Sequence, residues 1–334
     1  MSPVPARPLP LDLEGVAFSV GRGAQAGLSK RRMRAGDLDR PFHGVRRRRG
    51  AADNGLLAVC RAYAVRMKPA QAFSHETAAA LWGVPLDGHR RGGAAGSKVA
   101  PDRERGDARP DGQRALHVSA LHGGPRPRCA GVTGHVLSDP AVFILLRQEL
   151  PVVDPATVWL QLAATSRFDE LVAAGDHLVL TPRRATPGAE RPYTTVEELR
   201  RRVSAFSGRG RRLAVEALPW IRDGAESARE TRLRLNLVRW GLPEPVLNAA
   251  IRSSRGAFIA FGDLVYPEFK VLVEYEGEQH RTDARQFYRD IERHEALQRA
   301  GWVLIRETKE SPRVGPRSAP TRAARALRAR GWRG

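Results

Sequence analysis

Two apolar runs joined by a short connection constrain the C-terminal part of this chain more than any other feature. Residues 257–265 and 270–276 flank the segment 266–269, in which Pro267 provides no backbone donor to a sheet ladder. This pattern predicts an antiparallel hairpin. Because side chains alternate along a strand, Lys270, Leu272, Glu274 and Glu276 fall on one face of the second strand.

The hairpin brings carboxylates together. Folding it about 266–269 places Asp263 opposite the region 272–274, beside Glu274 and near Glu276. Like charges this close cannot all ionise unless a cation or bound protons neutralise them. Carboxylate oxygens suit Mg²⁺ or Mn²⁺. The sequence therefore predicts a divalent-metal site where Asp263, Glu274 and Glu276 converge.

A helix predicted over 226–240 adds a further acid. Glu230 lies one turn before Leu233 on the apolar stripe of this helix and is expected to face the core or a cleft. The alternative is a capping box, in which Ser227 and Glu230 satisfy backbone donors at the helix start.

Beyond the hairpin, the pattern predicts a helix from about residue 285 to 300, ended by Gly301, and then a strand over 302–306. His280 directly follows the acidic strand. An imidazole there can serve as general acid toward a leaving oxygen, and a purely structural histidine is the alternative.

These residues resemble the very-short-patch-repair-like endonuclease domain of the PD-(D/E)XK nuclease superfamily, over roughly residues 222 to 308. The resemblance implies metal-dependent phosphodiester hydrolysis, with Asp263 and Glu274 as central metal ligands, Glu230 as the helix-borne acid and His280 as an acid/base. Glu276 stands where that family's signature has lysine, and it could serve as a further metal ligand or orient the attacking water. Lys270, on the same predicted strand face, is the nearest residue that could take the place of the signature lysine. An inactive domain, whose acids pair with Arg289, Arg293 or Arg306, is the competing interpretation.

Charge independently favours a nucleic-acid partner. The formal net charge is +20 over 334 residues, with a sequence pI of about 11.2, and such an excess favours phosphate backbones. Within 1–50, residues 24–29 are predicted to form a helix, a turn and a Ser N-cap. Residues 30–34 are predicted to open a second helix, with Met33 turned inward and its basic neighbours turned outward. Residues 38–49, with a turn at Gly44, are predicted to form a wing. The predicted DNA-binding residues are Lys30, Arg31, Arg32, Arg34, Arg46, Arg47, Arg48 and Arg49.

The basic segment is similar to the winged-helix N-terminal domain of the abortive-infection type IV antitoxin family. The similarity covers roughly residues 15 to 50, and residues 73–83 resemble the helix that follows in relatives. It implies operator binding and repression. A solvated basic arm is the alternative.

The predicted fold class is α+β and multidomain, with an N-terminal winged helix-turn-helix, a mixed α/β middle region and a C-terminal restriction-endonuclease-like α/β core. The predicted boundaries are 1–87 for the winged-helix domain, 88–114 for a disordered loop or linker, 115–181 for an α/β scaffold, 182–193 for a linker, 194–310 for the endonuclease-like domain and 311–334 for a basic tail. The middle region shows no metal-ligand spacing, so it is assigned a scaffold role.

The composition excludes several classes. Cys60 and Cys129 match no zinc or redox spacing. No run approaches the roughly 20 apolar residues of a membrane span, and the expected location is cytoplasmic and nucleoid-associated. We expect DNA as partner, with RNA still open, and no organic cofactor. The predicted function is a Mg²⁺- or Mn²⁺-dependent DNA endonuclease. The alternative is a non-catalytic regulator or antitoxin, with a cognate toxin as protein partner.

Overall fold

The computed structural model describes residues 7–50, 55–86, 115–183, 190–253, 255–276, 284–312 and 314–334. The chain divides into two compact units, Met1–Leu162 and Ala163–Gly334. Both contain sheets and helices, so the chain has the expected α+β, multidomain character. The predicted loop at 88–114 and the predicted acid/base His280 lie outside the described residues. In the described part of the chain, no helix combines the length and apolar character of a membrane span.

The first unit begins with a small sheet around a compact core. Its elements are β1 (Phe18–Ser19), α1 (Val20–Gln25), β2 (Leu38–Asp39) and β3 (Val45–Arg48). The strand order is β1-β3-β2, and both pairings are antiparallel. Leu13, Phe18, Met33 and Leu38 pack beneath it. The inward position of Met33 is as predicted, and so is the turn at Gly44, where φ is 77°.

The predicted second helix over 30–34 is wrong. Only a three-residue 3-10 turn forms, at Arg32–Arg34, although Ser29 Oγ accepts a hydrogen bond from the Arg32 N–H at 3.1 Å as a cap would. Arg32 is buried, and its guanidinium group donates to both carboxylate oxygens of Asp37, at 2.8 and 2.7 Å. Because this ion pair turns Arg32 toward the protein, the prediction that all basic neighbours of Met33 point outward is also wrong.

A five-stranded sheet forms the rest of the first unit. Its elements are α2 (Leu56–Ala64), β4 (Gln71–Phe73), α3 (His75–Leu81), β5 (Leu116–Leu121), β6 (Val132–Leu137), β7 (Ile144–Arg147), β8 (Leu150–Val153) and α4 (Pro155–Leu162). The strand order is β6-β5-β4-β8-β7, with β5–β6 and β4–β8 parallel. β4 comes from the segment assigned to the N-terminal domain, whereas the other strands come from the predicted middle region. The two segments therefore share one sheet.

The second unit contains a mixed four-stranded sheet and six helices among its described residues. The elements are α5 (Phe168–Val179), α6 (Val196–Ala205), α7 (Arg211–Ala217), α8 (Ala228–Arg239), β9 (Val246–Arg252), β10 (Phe258–Tyr266), β11 (Val271–Glu276), α9 (Ala284–Arg299), β12 (Val303–Thr308) and α10 (Ala319–Ala329). The order is β12-β11-β10-β9. β9, β10 and β11 are antiparallel, and β12 runs parallel to β11.

The predicted hairpin is confirmed. Leu264 pairs with Val273 and Tyr266 with Val271, and the connection is a 3-10 turn over Pro267–Phe269. Lys270 is not on the strand, however. It lies before β11 with φ of 47°, and its Nζ donates to the Ala300 carbonyl at 3.3 Å. Lys270 therefore cannot replace the signature lysine from the strand face proposed for it.

Alternate residues of β11 pack into different clusters, as the predicted alternation requires. Val271 and Val273 pack with Leu237 of α8 and Leu327 of α10, whereas Leu272 packs in a cluster that contains Leu297 of α9. The residues 311–334, predicted to be a basic tail, thus contribute to the core. Ala319, Ala323 and Leu327 are fully buried because α10 places them on one apolar face.

A buried ion pair ties α5 to α8. Arg234 Nη2 donates to Asp176 Oδ2 at 3.0 Å, and both side chains are essentially inaccessible to solvent. Asp176 also accepts from the Thr231 hydroxyl at 2.8 Å and from the Arg222 N–H at 2.7 Å. Burial raises the pKa of Asp176 to about 6, and the charge of Arg234 and these donors oppose the rise.

Replacing Asp176 with Ala is expected to lower the free energy of unfolding by about 3–5 kcal/mol, because Arg234 would keep a buried charge beside an emptied site. Urea denaturation measures the change. The double variant Asp176→Ala/Arg234→Met should recover most of the loss, and a double variant as unstable as the single one would contradict this explanation. Asp169→Ala serves as a control. It breaks the ion pair with Arg239, which is far more exposed to solvent than the Asp176–Arg234 pair, and its expected effect is below about 1 kcal/mol.

Candidate active site

Asp263 lies at the centre of the predicted acidic group. It precedes Leu264, which pairs with Val273, so it reaches the level of Glu274 on the neighbouring strand. Its Oδ2 accepts a hydrogen bond from the Tyr275 N–H at 3.2 Å. The hairpin thus brings Asp263 to the region where the sequence predicts it, next to Glu274.

Glu230 reaches the group from the first turn of α8. Ser227 caps that helix, accepting from the Glu230 N–H at 3.2 Å and donating to Glu230 Oε1 at 2.8 Å. The Glu226 N–H donates to Glu230 Oε2 at 2.9 Å. The capping interpretation is therefore confirmed, and the same bonds hold a buried carboxylate in place near Asp263.

The three carboxylates share one electrostatic environment. The pKa values of Glu230, Asp263 and Glu274 are all raised, and burial is the largest cause for each. The charge of Asp263 further raises the pKa values of Glu230 and Glu274. Each ionised group therefore destabilises the next, which is the condition that a bound cation relieves.

Arginines neutralise part of this charge. Arg293 of α9 donates to Glu274 and, at 3.2 Å, to the Phe261 carbonyl. The predicted alternative, in which acids pair with arginines, thus holds for Glu274. Glu276 lies at the end of β11, where it is 44% exposed and 3.9 Å from Arg306 Nε. It stands at the rim of the group.

A cavity of about 340 Å³ adjoins the acids and is lined by Pro182, Arg183, Glu226 and Phe261. Arg183 Nε donates to Glu226 at 2.6 Å, and its guanidinium carbon lies 4.8 Å from the centre of the Phe261 ring. The hydrogen bond to Glu226 raises the pKa of Arg183, and the charges of Asp263 and Glu230 add to the rise. The sequence analysis missed Arg183, because it fell in a predicted linker.

The predicted DNA-binding residues separate into two groups. Lys30, Arg31, Arg34, Arg48 and Arg49 are exposed. Arg48 pairs with Glu14, and Arg49 Nε lies 3.1 Å from Asp39. Arg46 Nε donates to the Met33 carbonyl at 2.6 Å, and Arg47 is half-buried. With Arg32 buried as well, the exposed basic surface is smaller than predicted.

A histidine group in the first unit combines His75 with two residues of the region that was assigned a scaffold role. His75, His117 and His135 bring one ring nitrogen each within 4.8 Å of the other two. In the part of the chain that is described, no other set of three His, Cys, Asp or Glu ligand atoms comes together this closely. The carboxylates of the second unit therefore form a looser group.

Sequence reasoning missed the histidines because they share no motif spacing. His75 follows β4, His117 lies on β5 and His135 on β6. Only the strand pairing β6-β5-β4 unites them, and β4 was not predicted. A usable indication was the position of His117 and His135 within otherwise apolar strands.

Comparison with known proteins gives little further identification. No family model matches the chain, and no solved structure matches it. Two uncharacterized proteins of Mycobacterium tuberculosis, from strains CDC 1551 / Oshkosh and ATCC 25618 / H37Rv, are each 34% identical to it over 122 residues. The match covers 36% of this chain and 45% of each relative, so it spans less than half the length of either.

Replacing Asp263 with Asn is expected to raise the free energy of unfolding at pH 7 in EDTA. An acid whose folded-state pKa is raised favours the fold below its ordinary pKa of 3.8, and this contribution is lost as pH rises through the folded value. The advantage of the variant should therefore shrink as pH falls toward 4. Thermal unfolding at both pH values measures it, with Asp169→Asn as control. A variant less stable than the wild type at pH 7 would contradict the repulsion.

Proposed function

We propose that the second unit is a divalent-metal-dependent phosphodiesterase that cuts DNA. One observation carries the proposal: Asp263 lies between two other largely buried carboxylates, Glu230 and Glu274, and raises the pKa of each. Buried like charges are costly, and burial keeps the pKa values of all three acids raised even though Arg293, Arg183 and Arg306 act in the opposite direction on Asp263 or Glu274. Their oxygen donors fit Mg²⁺ or Mn²⁺.

The order of elements supports this proposal. Helix α8 supplies Glu230, and the β10–β11 hairpin supplies Asp263 and Glu274. Helix α9 and then strand β12, which pairs parallel to β11, follow in the chain. This is the order in which the resembled nuclease domain is expected to present its acids. The match of residue type, element and order is harder to reach by chance than a cluster of acids alone.

Asp263 and Glu274 would hold the metal, which when bound polarises a phosphate and lowers the pKa of water. Ser227 and the Glu226 N–H keep Glu230 oriented toward Asp263. Arg183, at the adjoining cavity, donates to Glu226 through two of its nitrogens and brings a planar cation of the type that binds phosphate oxygens. Arg293 holds Glu274 and limits the repulsion of the group. The roles of His280 as general acid and of Glu276 as an additional ligand stay predictions of the sequence.

The cleavage test uses the full chain with supercoiled DNA, single-stranded DNA and RNA, each with Mg²⁺, Mn²⁺ or EDTA. We expect metal-dependent cutting that falls by at least about 100-fold in Asp263→Ala and Glu274→Ala, equivalent to about 2.7 kcal/mol of transition-state stabilisation. Glu268→Gln, an exposed acid in the hairpin turn, is the matched control. Cutting that survives in Asp263→Ala would refute the site, and preference for RNA would change the substrate.

The second candidate function, a DNA-binding regulator or antitoxin, is favoured by the first unit. The segment between α1 and β2, which precedes the β2–β3 hairpin, presents Lys30, Arg31 and Arg34 to solvent. Sequence-independent affinity for a duplex comes mainly from such phosphate contacts. This surface is compatible with both functions, since a nuclease also needs a docking surface.

Removing Arg31 and Arg34 together is expected to weaken duplex binding and flatten its salt dependence. The slope of log affinity against log salt should fall by about 0.9 for each phosphate that the variant no longer neutralises. Fluorescence anisotropy of a labelled DNA duplex, titrated with protein at salt concentrations from about 50 to about 200 mM, measures this slope. Arg212→Ala, an exposed arginine of the second unit paired with Glu216, is the control. An unchanged slope in the double variant would exclude this surface from DNA binding.

A further inference from the structure

The first unit carries a group of side chains that the proposed nuclease does not use. His75 begins α3, and His117 and His135 lie on the parallel neighbours β5 and β6. We infer that His75, His117 and His135 form a binding site for one transition-metal ion of the Zn²⁺ class, with an open coordination position toward the adjoining cavity.

The distances suit three imidazole ligands with little rearrangement. His117 Nδ1 lies 3.0 Å from His135 Nε2, and all three coordinating nitrogens fall within 4.8 Å of one another. Nitrogen atoms bound to one tetrahedral Zn²⁺ at about 2.0–2.1 Å are separated by roughly 3.4 Å. The nitrogens are thus close enough for a shared ion, and rotation of the nearly parallel rings about their side-chain bonds would direct the three lone pairs toward it.

Neighbouring residues already hold the rings. His75 Nδ1 lies 3.0 Å from the Ser74 hydroxyl, which accepts a hydrogen bond at 2.7 Å from Ser119. Both serines are fully buried. A histidine that ligates a metal through one ring nitrogen typically donates a hydrogen bond from the other. This hydrogen bond fixes the orientation of the ring and determines which nitrogen coordinates the metal. Because Nδ1 of His75 contacts the Ser74 hydroxyl, Nε2 is the nitrogen of His75 that would coordinate the ion.

The backbone at His75 adopts an uncommon conformation. His75 has a φ of 50°, a left-handed conformation that costs a non-glycine residue free energy. The Gln161 Oε1 atom accepts from its N–H at 2.7 Å and holds it there. The result is a stack of the His75 and His135 rings, with their centres 3.8 Å apart.

A cavity of about 280 Å³ gives the site its opening. It is lined by His75, His135, Arg126, Gly134, Val136 and Leu137. Arg126 Nε donates to the Gly134 carbonyl at 2.7 Å, which fixes the guanidinium group beside the cavity. A Cβ at Gly134 would lie 1.9 Å from the Pro127 carbonyl, so only glycine permits this close approach of the two segments.

The donor set specifies the ion and its fourth ligand. Three imidazoles suit Zn²⁺, Co²⁺, Ni²⁺ or Cu²⁺ rather than Mg²⁺. Three protein ligands with one open position are typical of sites that bind water or substrate. Arg126 at the cavity favours an anionic occupant of that position, such as a phosphate or carboxylate group.

The test uses the untagged full chain, stripped with chelator and titrated with Zn²⁺ against a chromophoric competitor. We expect one ion per chain at this site, and at least about a 100-fold loss of affinity in His75→Ala, His117→Ala and His135→Ala. His43→Ala, an exposed histidine of the same unit, is the matched control and should bind like the wild type.

Three further measurements separate ligation from a folding defect and from binding elsewhere. Ser119→Ala keeps all three ligands and should weaken Zn²⁺ binding by about tenfold through the orientation of His75. Co²⁺ in the wild type should give the visible absorption of a four-coordinate nitrogen site. Asp263→Ala should retain the ion. Zn²⁺ binding that survives in His135→Ala, or that is lost in Asp263→Ala, would overturn the site.

Discussion

The antiparallel pairing of β10 with β11 is the interaction on which the second unit depends. It sets Leu264 against Val273 and so brings Asp263 to Glu274. It also sends Val271 and Val273 toward α8 and α10, and Leu272 toward α9. A slip of one residue would exchange both sets of side chains between the two faces, burying charge and exposing valine. The register also requires glycine at position 262, because a Cβ there would lie 2.5 Å from the Leu272 side chain and 2.9 Å from the Ile251 side chain.

Buried charge is treated differently at two places in this unit. At the Asp176–Arg234 pair, Thr231 and Arg222 donate to Asp176, and Arg234 donates to Glu244 and to the Trp220 carbonyl, so that Arg234 Nε alone of the guanidinium nitrogens is a buried donor without a partner. The acids around Asp263 also have hydrogen-bond donors, but burial raises the pKa values of Glu230 and Glu274 and the charge of Asp263 raises them further. A fold selected for stability alone would remove such repulsion. Retained electrostatic cost is typical of sites that bind or react.

Local patterns in the sequence predicted the second unit well. Alternation and a proline-containing turn were sufficient for the hairpin, and Ser227 with Glu230 marked the start of α8. The errors came from side-chain contacts that residue patterns do not specify. Asp37 lies only five residues from Arg32, yet nothing in the sequence shows that the two pair and turn Arg32 inward. Residues 311–334 enter the core because α10 carries Ala323 and Leu327 on one face, and the rest of that core is distant in sequence. Arg183 and the three histidines were missed because their neighbours are also distant in sequence.

The two candidate metal sites differ in chemistry, and this difference directs Mg²⁺ to the acids and gives ions of the Zn²⁺ class a preference for the histidines. Divalent first-row ions with imidazole ligands bind in an order that places Zn²⁺ far above Mn²⁺, whereas carboxylates favour hard ions such as Mg²⁺. The histidine group offers only nitrogen donors, and the Asp263 group only oxygen donors. Free Mg²⁺ would leave the histidines unoccupied. An ion of the Zn²⁺ class would be drawn to the histidines first, because their ligand atoms already lie closer together than those of the acids.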